Sequence, residues 1–174
     1  MLVAMSESLA RLNSLPFDEA RAELLKCCGS ARWAERVAAR RPYASAEELE
    51  ETADRVWLEL SADDWLEAFR AHPKIGERKA AAEVSAEARG WSEREQAGAS
   101  GASDATRAAL AEGNRVYEER FGFIFIVCAT GKTAGEMLSI LEARAGHDRE
   151  TELRVAAEEQ RKITRLRLRK LLSV

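Results

Sequence analysis

The chain has 174 residues, 46% of them apolar and 33% charged, and its 27 basic and 30 acidic side chains leave a net charge of −3. That length suits a single domain, 1–174, able to bury most of its apolar surface. The charge balance excludes a global nucleic-acid footprint, and no run reaches the roughly 18 apolar residues of a membrane span.

Ala, Glu, Leu and Arg dominate, all good helix formers, and only three prolines and ten glycines interrupt them. Asp18 is placed to cap a helix that reaches Cys27 and Cys28 and stops at Gly29. Ser30 opens another, running to about Arg40 and ended by Pro42. Ser45-x-x-Glu48 is a capping box. Ser61, followed by Asp63 and Asp64, starts a helix whose apolar stripe is Trp65, Leu66, Ala68 and Phe69. The stretch from Lys79 to Ser103 is poorly periodic, with Gly90, Gly98 and Gly101; it is too long for an idle connection and reads as a lid or wall. Ser103 or Asp104 opens a helix to about Arg120. Phe123 to Ala129 is β-branched and aromatic, like a buried strand, but it has no second strand to pair with. It reads as a buried extended or irregular segment whose backbone groups must be satisfied by side chains or ligand. Thr133-x-x-Glu136 caps a helix over about 133–145, and a last helix covers about 149–172. The fold expected is all-α, a single compact domain of about seven to nine helices with a buried extended segment near 121–130.

Three cysteines, Cys27, Cys28 and Cys128, have no metal-ligand spacing and read as buried thiols in a reducing compartment. There is no basic stretch leading into an apolar core at the N-terminus and no peroxisomal tripeptide at the C-terminus, so a cytoplasmic protein is expected. The basic run Arg161 to Lys170 is amphipathic and reads as a docked helix rather than a phosphate-binding arm.

The chemistry begins at His72-Pro73-Lys74-Ile75-Gly76. A residue before proline is pushed out of the helical region, so a helix ending near Ala71 presents His72 at its mouth. Histidine trades protons near neutrality with little tuning; the plainer reading is a helix-terminal imidazole favoured by the dipole. Ser92-x-x-Glu95 is itself a capping-box pattern, with Trp91 as staple, or else it offers a carboxylate to orient the imidazole. Gln96 beside it can read an amide-rich ligand. In the last helix Leu153, Ala156, Ala157, Gln160 and Ile163 form an inward stripe that continues to Arg167. Arg165, about 200° around from Ile163, points outward. An inward arginine needs an anionic partner, either a structural carboxylate or a substrate oxygen gripped by the guanidinium fork. No metal cluster, glycine-rich phosphate loop or cofactor fingerprint accompanies these residues.

Together these blocks are similar to the 2-oxo-4-hydroxy-4-carboxy-5-ureidoimidazoline (OHCU) decarboxylases of urate breakdown. The resemblance takes in Leu12-Asn13, Cys27-Cys28-Gly29-Ser30 with Trp33-Ala34, Arg41-Pro42, His-Pro-Lys-Ile-Gly and the Ser-x-x-Glu-Gln block. It continues through Asn114-x-x-Tyr117-x-x-x-Phe121-Gly122-Phe123, Arg144 near Glu152, and Lys162-Ile163-x-x-Leu166-Arg167-Leu168. It implies an all-helical homodimer that decarboxylates OHCU to (S)-allantoin with no cofactor and no metal, while the charge balance and the lack of a long apolar run lead us to expect no nucleic-acid or membrane partner. By resemblance, His72 is the catalytic histidine, Glu95 its carboxylate partner and Arg167 the active-site arginine. Pro73, Ser92, Gln96 and the backbone of Phe125, Ile126, Val127, Cys128 and Ala129 match substrate-contact positions. Two positions depart from the family pattern: Ile124 replaces a proline, and His147 stands where asparagine is common. The alternatives are a non-enzymatic helical interaction module, which would scatter His72, Glu95 and Arg167 over the surface, and a same-fold enzyme acting on another ureido or imidazoline acid.

Overall fold

The computed structural model describes residues 2–74, 86–97 and 102–173. Among these there are nine helices and no strand: α1 (Leu2–Ser14), α2 (Phe17–Cys27), α3 (Ala31–Ala38), α4 (Ala46–Leu58), α5 (Ala62–Arg70), α6 (Ala86–Glu95), α7 (Asp104–Phe121), α8 (Ala134–Arg144) and α9 (Arg149–Leu172). The all-α expectation holds. Most helix starts follow from local capping. Ser30 and Ser103 accept hydrogen bonds from the Trp33 and Thr106 N–H groups. Thr133 and Glu136 close a reciprocal capping box. At α4, Ser45 caps the Glu48 N–H, but the Glu48 carboxylate accepts from the Ala44 N–H, one residue before the cap. Asp18 does not cap α2; Pro16 holds that position and Asp18 lies in the first turn, where its charge still suits the dipole.

Two helices were not delimited from sequence, α1 and α6. The second lies in the stretch read as poorly periodic, 79–103. Residues 79–85 and 98–101 of that stretch, part of the proposed lid or wall, lie outside the described residues.

The described residues group into two compact units, one of Met1–Ala68 with Arg161–Val174 and one of Phe69–Gln160. In the first, Leu24, Trp33, Val37, Leu49, Val56 and Leu168 are fully buried. The link between α3 and α4 is held by polar side chains: Asn13 exchanges two hydrogen bonds with the Tyr43 backbone (2.8 and 3.0 Å), and Arg41 donates to the Leu12 and Leu15 carbonyls (2.6 and 2.8 Å). The basic tail is docked, as expected. Arg161, Arg165 and Arg169, one helical turn apart along α9, meet Asp54 and Glu50 of α4.

In the second unit the core is aromatic. Tyr117 of α7 packs on Phe121, Phe123 and Phe125, with ring centroids 4.6, 5.9 and 5.4 Å away. α7 ends at Gly122, whose φ of 78° takes the left-handed cap that glycine adopts without steric cost. The chain then runs through 123–129 without regular structure, as the sequence suggested.

Candidate active site

α5 ends at Arg70, and the His72 N–H is bonded to the Phe69 carbonyl at 3.0 Å, so the imidazole stands at the helix mouth as expected. Its Nε2 lies 2.7 Å from Gln160 Oε1. An amide oxygen only accepts, so in this bond Nε2 is the donor and carries the hydrogen. Gln160 is completely buried. The sequence placed it on the inward stripe of α9 but gave it no role in the site; its inward phase was the signal that could have found it. The neighbouring Lys74 is tied to Glu118 of α7 at 2.6 Å, which holds the segment after His72.

Ser92 and Glu95 are buried and lie inside α6, not at its start. The capping-box reading of this block is therefore wrong. The helix begins at Ala86, and the Ser92 hydroxyl donates back to the Ala88 carbonyl at 3.1 Å. Gln96, one residue past α6, donates to the Pro73 carbonyl at 3.5 Å. The end of α6 and the histidine-proline turn thus meet.

The segment 125–129 is buried throughout, and side chains satisfy part of its backbone. Arg144 of α8 donates to the Ile126 carbonyl at 2.8 Å. Glu159 of α9 accepts the Cys128 N–H at 2.7 Å, and Lys132 donates to the Cys128 carbonyl at 2.7 Å. Burial pushes the Cys128 thiol above its ordinary value; Lys132 opposes this, while the Glu159 and Glu95 carboxylates reinforce it. The segment is therefore electrostatically within reach of Glu95. Neither Glu159 nor Lys132 was singled out from sequence: the Glu159 contact spans 31 residues, and the Lys132 contact, four residues from Cys128, has no local signature.

Behind the segment lies a buried ionic cluster. Glu152 accepts from Arg144 (Nε at 2.8 Å), from the Tyr117 hydroxyl and from His147 Nδ1 at 2.8 Å. The Arg144 guanidinium also covers the Phe125 ring at 4.8 Å. Burial and the bond to Glu152 raise the Tyr117 hydroxyl far above its ordinary value. His147, one of the two departures, thus has a structural partner.

His72, Pro73, Ser92, Glu95, Gln96 and 125–129 all belong to the unit Phe69–Gln160, whereas Arg167 belongs to the other. There it is buried, at 5% exposure, as its helical phase predicts. Its charge acts on Cys28, which burial raises to about 12 and Thr164 hydrogen-bonds. Arg165 differs from expectation. It is 39% exposed but not simply outward, because its Nε lies 3.1 Å from Asp54.

The OHCU decarboxylase family model matches residues 13–169. The chain belongs to the OHCU decarboxylase family. Among its relatives, the 2-oxo-4-hydroxy-4-carboxy-5-ureidoimidazoline decarboxylase of Haloferax volcanii is 33% identical over 137 residues, covering 78% of this chain and 77% of that protein. The uric acid degradation bifunctional protein TTL of Arabidopsis thaliana is 43% identical over 149 residues, 84% of this chain. The match spans only 45% of that longer protein. Among solved structures, an OHCU decarboxylase crystallised in the presence of (S)-allantoin is similar with a TM-score of 0.75 and 38% identity, over 87% of this chain and 98% of that one.

Proposed function

We propose that this chain decarboxylates OHCU to (S)-allantoin in urate breakdown. The observation that carries this reading is the match over residues 13–169, joined to the gathering of the family's histidine, glutamine and serine positions in one unit. The substrate carries its carboxylate on a carbon that also bears a hydroxyl and adjoins a ring C=N. When the C–CO₂ bond breaks, its electron pair flows into that C=N, so the substrate is its own electron sink. The hydroxyl then gives up its proton to become the ring carbonyl, and the neighbouring carbon that bore the C=N and carries the ureido group gains a proton from one face, which sets the S configuration. The protein's task is placement and electrostatics.

In this reading His72 exchanges its proton at Nδ1, while Gln160 fixes the ring through Nε2. Glu95 orients the imidazole and holds its charge. Ser92, Gln96, Pro73 and the 125–129 backbone read the ureido and ring amides. Arg167, on the strength of the resemblance and its burial, grips an oxygen of the substrate. Gripping the departing carboxylate too firmly would stabilise the ground state, which favours a different oxygen. The chain is further proposed to act in the cytoplasm, as a single functional domain that forms a homodimer; among the described residues no helix is long and apolar enough to cross a membrane.

The test couples urate oxidase and hydroxyisourate hydrolase to the purified chain and follows circular dichroism. One allantoin enantiomer should accumulate rapidly, and only with the chain present. His72→Asn should lower turnover by about 10²–10⁴-fold with an unchanged melting temperature. Near-normal turnover in that variant would remove His72 from the chemistry.

A further inference from the structure

We propose that Gln160 is a positioning residue that sets the protonation behaviour of His72. As a buried, neutral acceptor it pins a hydrogen on Nε2, leaves Nδ1 as the nitrogen that exchanges a proton, and withholds the negative charge that would favour imidazolium. That His72 takes part in chemistry rests on the decarboxylase reading; the state of its ring does not.

The imidazole has little freedom. Its backbone N–H is bonded to the Phe69 carbonyl at 3.0 Å, and the carbonyl of the following Pro73 accepts from Gln96 at 3.5 Å. With the backbone held on either side, the ring's orientation is left to its own side-chain torsions. Gln160 Oε1, 2.7 Å from Nε2, fixes them. The amide itself is firmly placed. Gln160 lies midway along the 24-residue α9 and is wholly buried, and its neighbour Glu159 is anchored to the Cys128 N–H at 2.7 Å. A long helix thus presents one fixed acceptor to a half-buried ring.

The chemical type of this acceptor matters as much as its place. A carboxylate facing a ring N–H stabilises the charged form and raises the histidine pKa, on the order of one unit or more at close range. An amide oxygen accepts the same hydrogen without adding a charge. It orients the ring and leaves the neutral form in use near neutrality, with a bare lone pair on Nδ1. In the decarboxylase reading, that form can take the proton of the substrate hydroxyl as the hydroxyl becomes a carbonyl, which an imidazolium cannot.

The charged side chains on the elements around the ring are Arg70 of α5, Lys74 two residues on, Glu118 of α7, Glu95 of α6 and Glu159 of α9, with Lys132 after the 125–129 segment. Lys74 pairs with Glu118 at 2.6 Å, and Glu159 and Lys132 hold the N–H and C=O of Cys128. The Cys128 thiol is pushed up by burial and stays protonated near neutrality. Glu95 favours imidazolium and Arg70 opposes it. A substitution at 160 leaves all of these in place, so a change in the ring's titration reports the acceptor.

The experiment reads the ring directly. The chain has two histidines, and in ¹⁵N-histidine spectra His72→Asn identifies which signals belong to His72. In the wild type the hydrogen of the neutral ring should sit on Nε2. Gln160→Glu should move the titration of His72 up by about one pH unit or more. Gln160→Met, which removes the acceptor at similar size, should move it down, blur the tautomer preference and lower kcat roughly tenfold with little change in KM. The acid limb of the kcat/KM profile should follow the ring in each variant. A hydrogen on Nδ1 in the wild type overturns the proposal, as does a titration that neither variant moves; a lower melting temperature with an unmoved titration would make Gln160 a packing residue only. Should the variants fail to fold, the wild-type tautomer still decides. A wild-type chain that does not turn over OHCU removes the decarboxylase reading and leaves the ring measurements to judge this assignment alone.

Discussion

Each unit contains a stretch of irregular backbone fixed by an arginine and a buried tyrosine, and the two are fixed differently. Around residues 41–43, Arg41, Asn13 and Tyr43 bond to backbone groups, with the Tyr43 hydroxyl on the Val37 carbonyl at 2.6 Å. Around 123–129, Arg144 and Tyr117 converge on the carboxyl group of Glu152, which is wholly buried. The first arrangement ties a link between helices at a half-buried arginine, where water can stand in for a lost bond. The second sits where water cannot, and it supports the segment to which substrate reading is assigned. A buried ion pair adds little net stability compared with apolar packing, but removing one partner strands the other. The ionic cluster is therefore best understood as fixing position rather than adding stability.

The sharpest way to break this comparison is to delete the arginine from each side. Arg144→Met leaves Glu152 short of its main counter-charge and Ile126 C=O without its donor, and should cost about 3–5 kcal/mol with loss of activity. Arg41→Met should cost only about 1–2 kcal/mol and leave kcat intact. Denaturant midpoints with unchanged m-values measure both. Equal losses would mean that the two arrangements do the same job.

The tyrosines sharpen the comparison through pH. Burial raises Tyr43 to about 12, and Tyr117 is raised further by burial and by its bond to Glu152. The unfolded chain releases both phenolic protons near pH 10 while the folded chain keeps them. Above that pH the unfolded state therefore binds fewer protons, and stability falls as pH rises, by about 1.4 kcal/mol per pH unit for each tyrosine. The fall should run from about pH 10 to 12 for Tyr43 and continue higher for Tyr117. Tyrosinate absorbance should appear only together with loss of helical ellipticity. Ionisation of either ring near pH 10 in the folded chain would show that its environment is not what we describe.

The smallest effect is expected at Arg165 of α9. Arg165→Lys exchanges one cation for another beside Asp54 at a site 39% exposed, so stability should change by less than about 1 kcal/mol and activity hardly at all. Arg167→Lys keeps the charge but not the planar fork, and should lose activity in the coupled assay. The reverse pattern would displace Arg167 from the proposed role.

What the sequence determined by itself was local or periodic. Ser30, Ser103 and Thr133 announce their helices because a cap needs only its own first turn. The 3.6-residue period placed Gln160, Ile163 and Arg167 inward on α9 before any partner was known, and β-branched and aromatic residues marked 123–129 as buried and non-helical. The same locality misled at Ser92-x-x-Glu95, since that spacing serves an N-cap and the interior of a helix alike, and only the start of α6 at Ala86 decides between them. It also misled at Arg165, where phase gave a direction but not the carboxylate that waits there on α4. Tertiary structure alone decided the partners: Gln160 for His72, Glu159 and Lys132 for the Cys128 peptide, and Glu152 for Arg144, Tyr117 and His147. A hydrogen bond depends on ångström-scale placement of atoms that the chain brings together from distant positions, and periodicity fixes a face without fixing what that face meets.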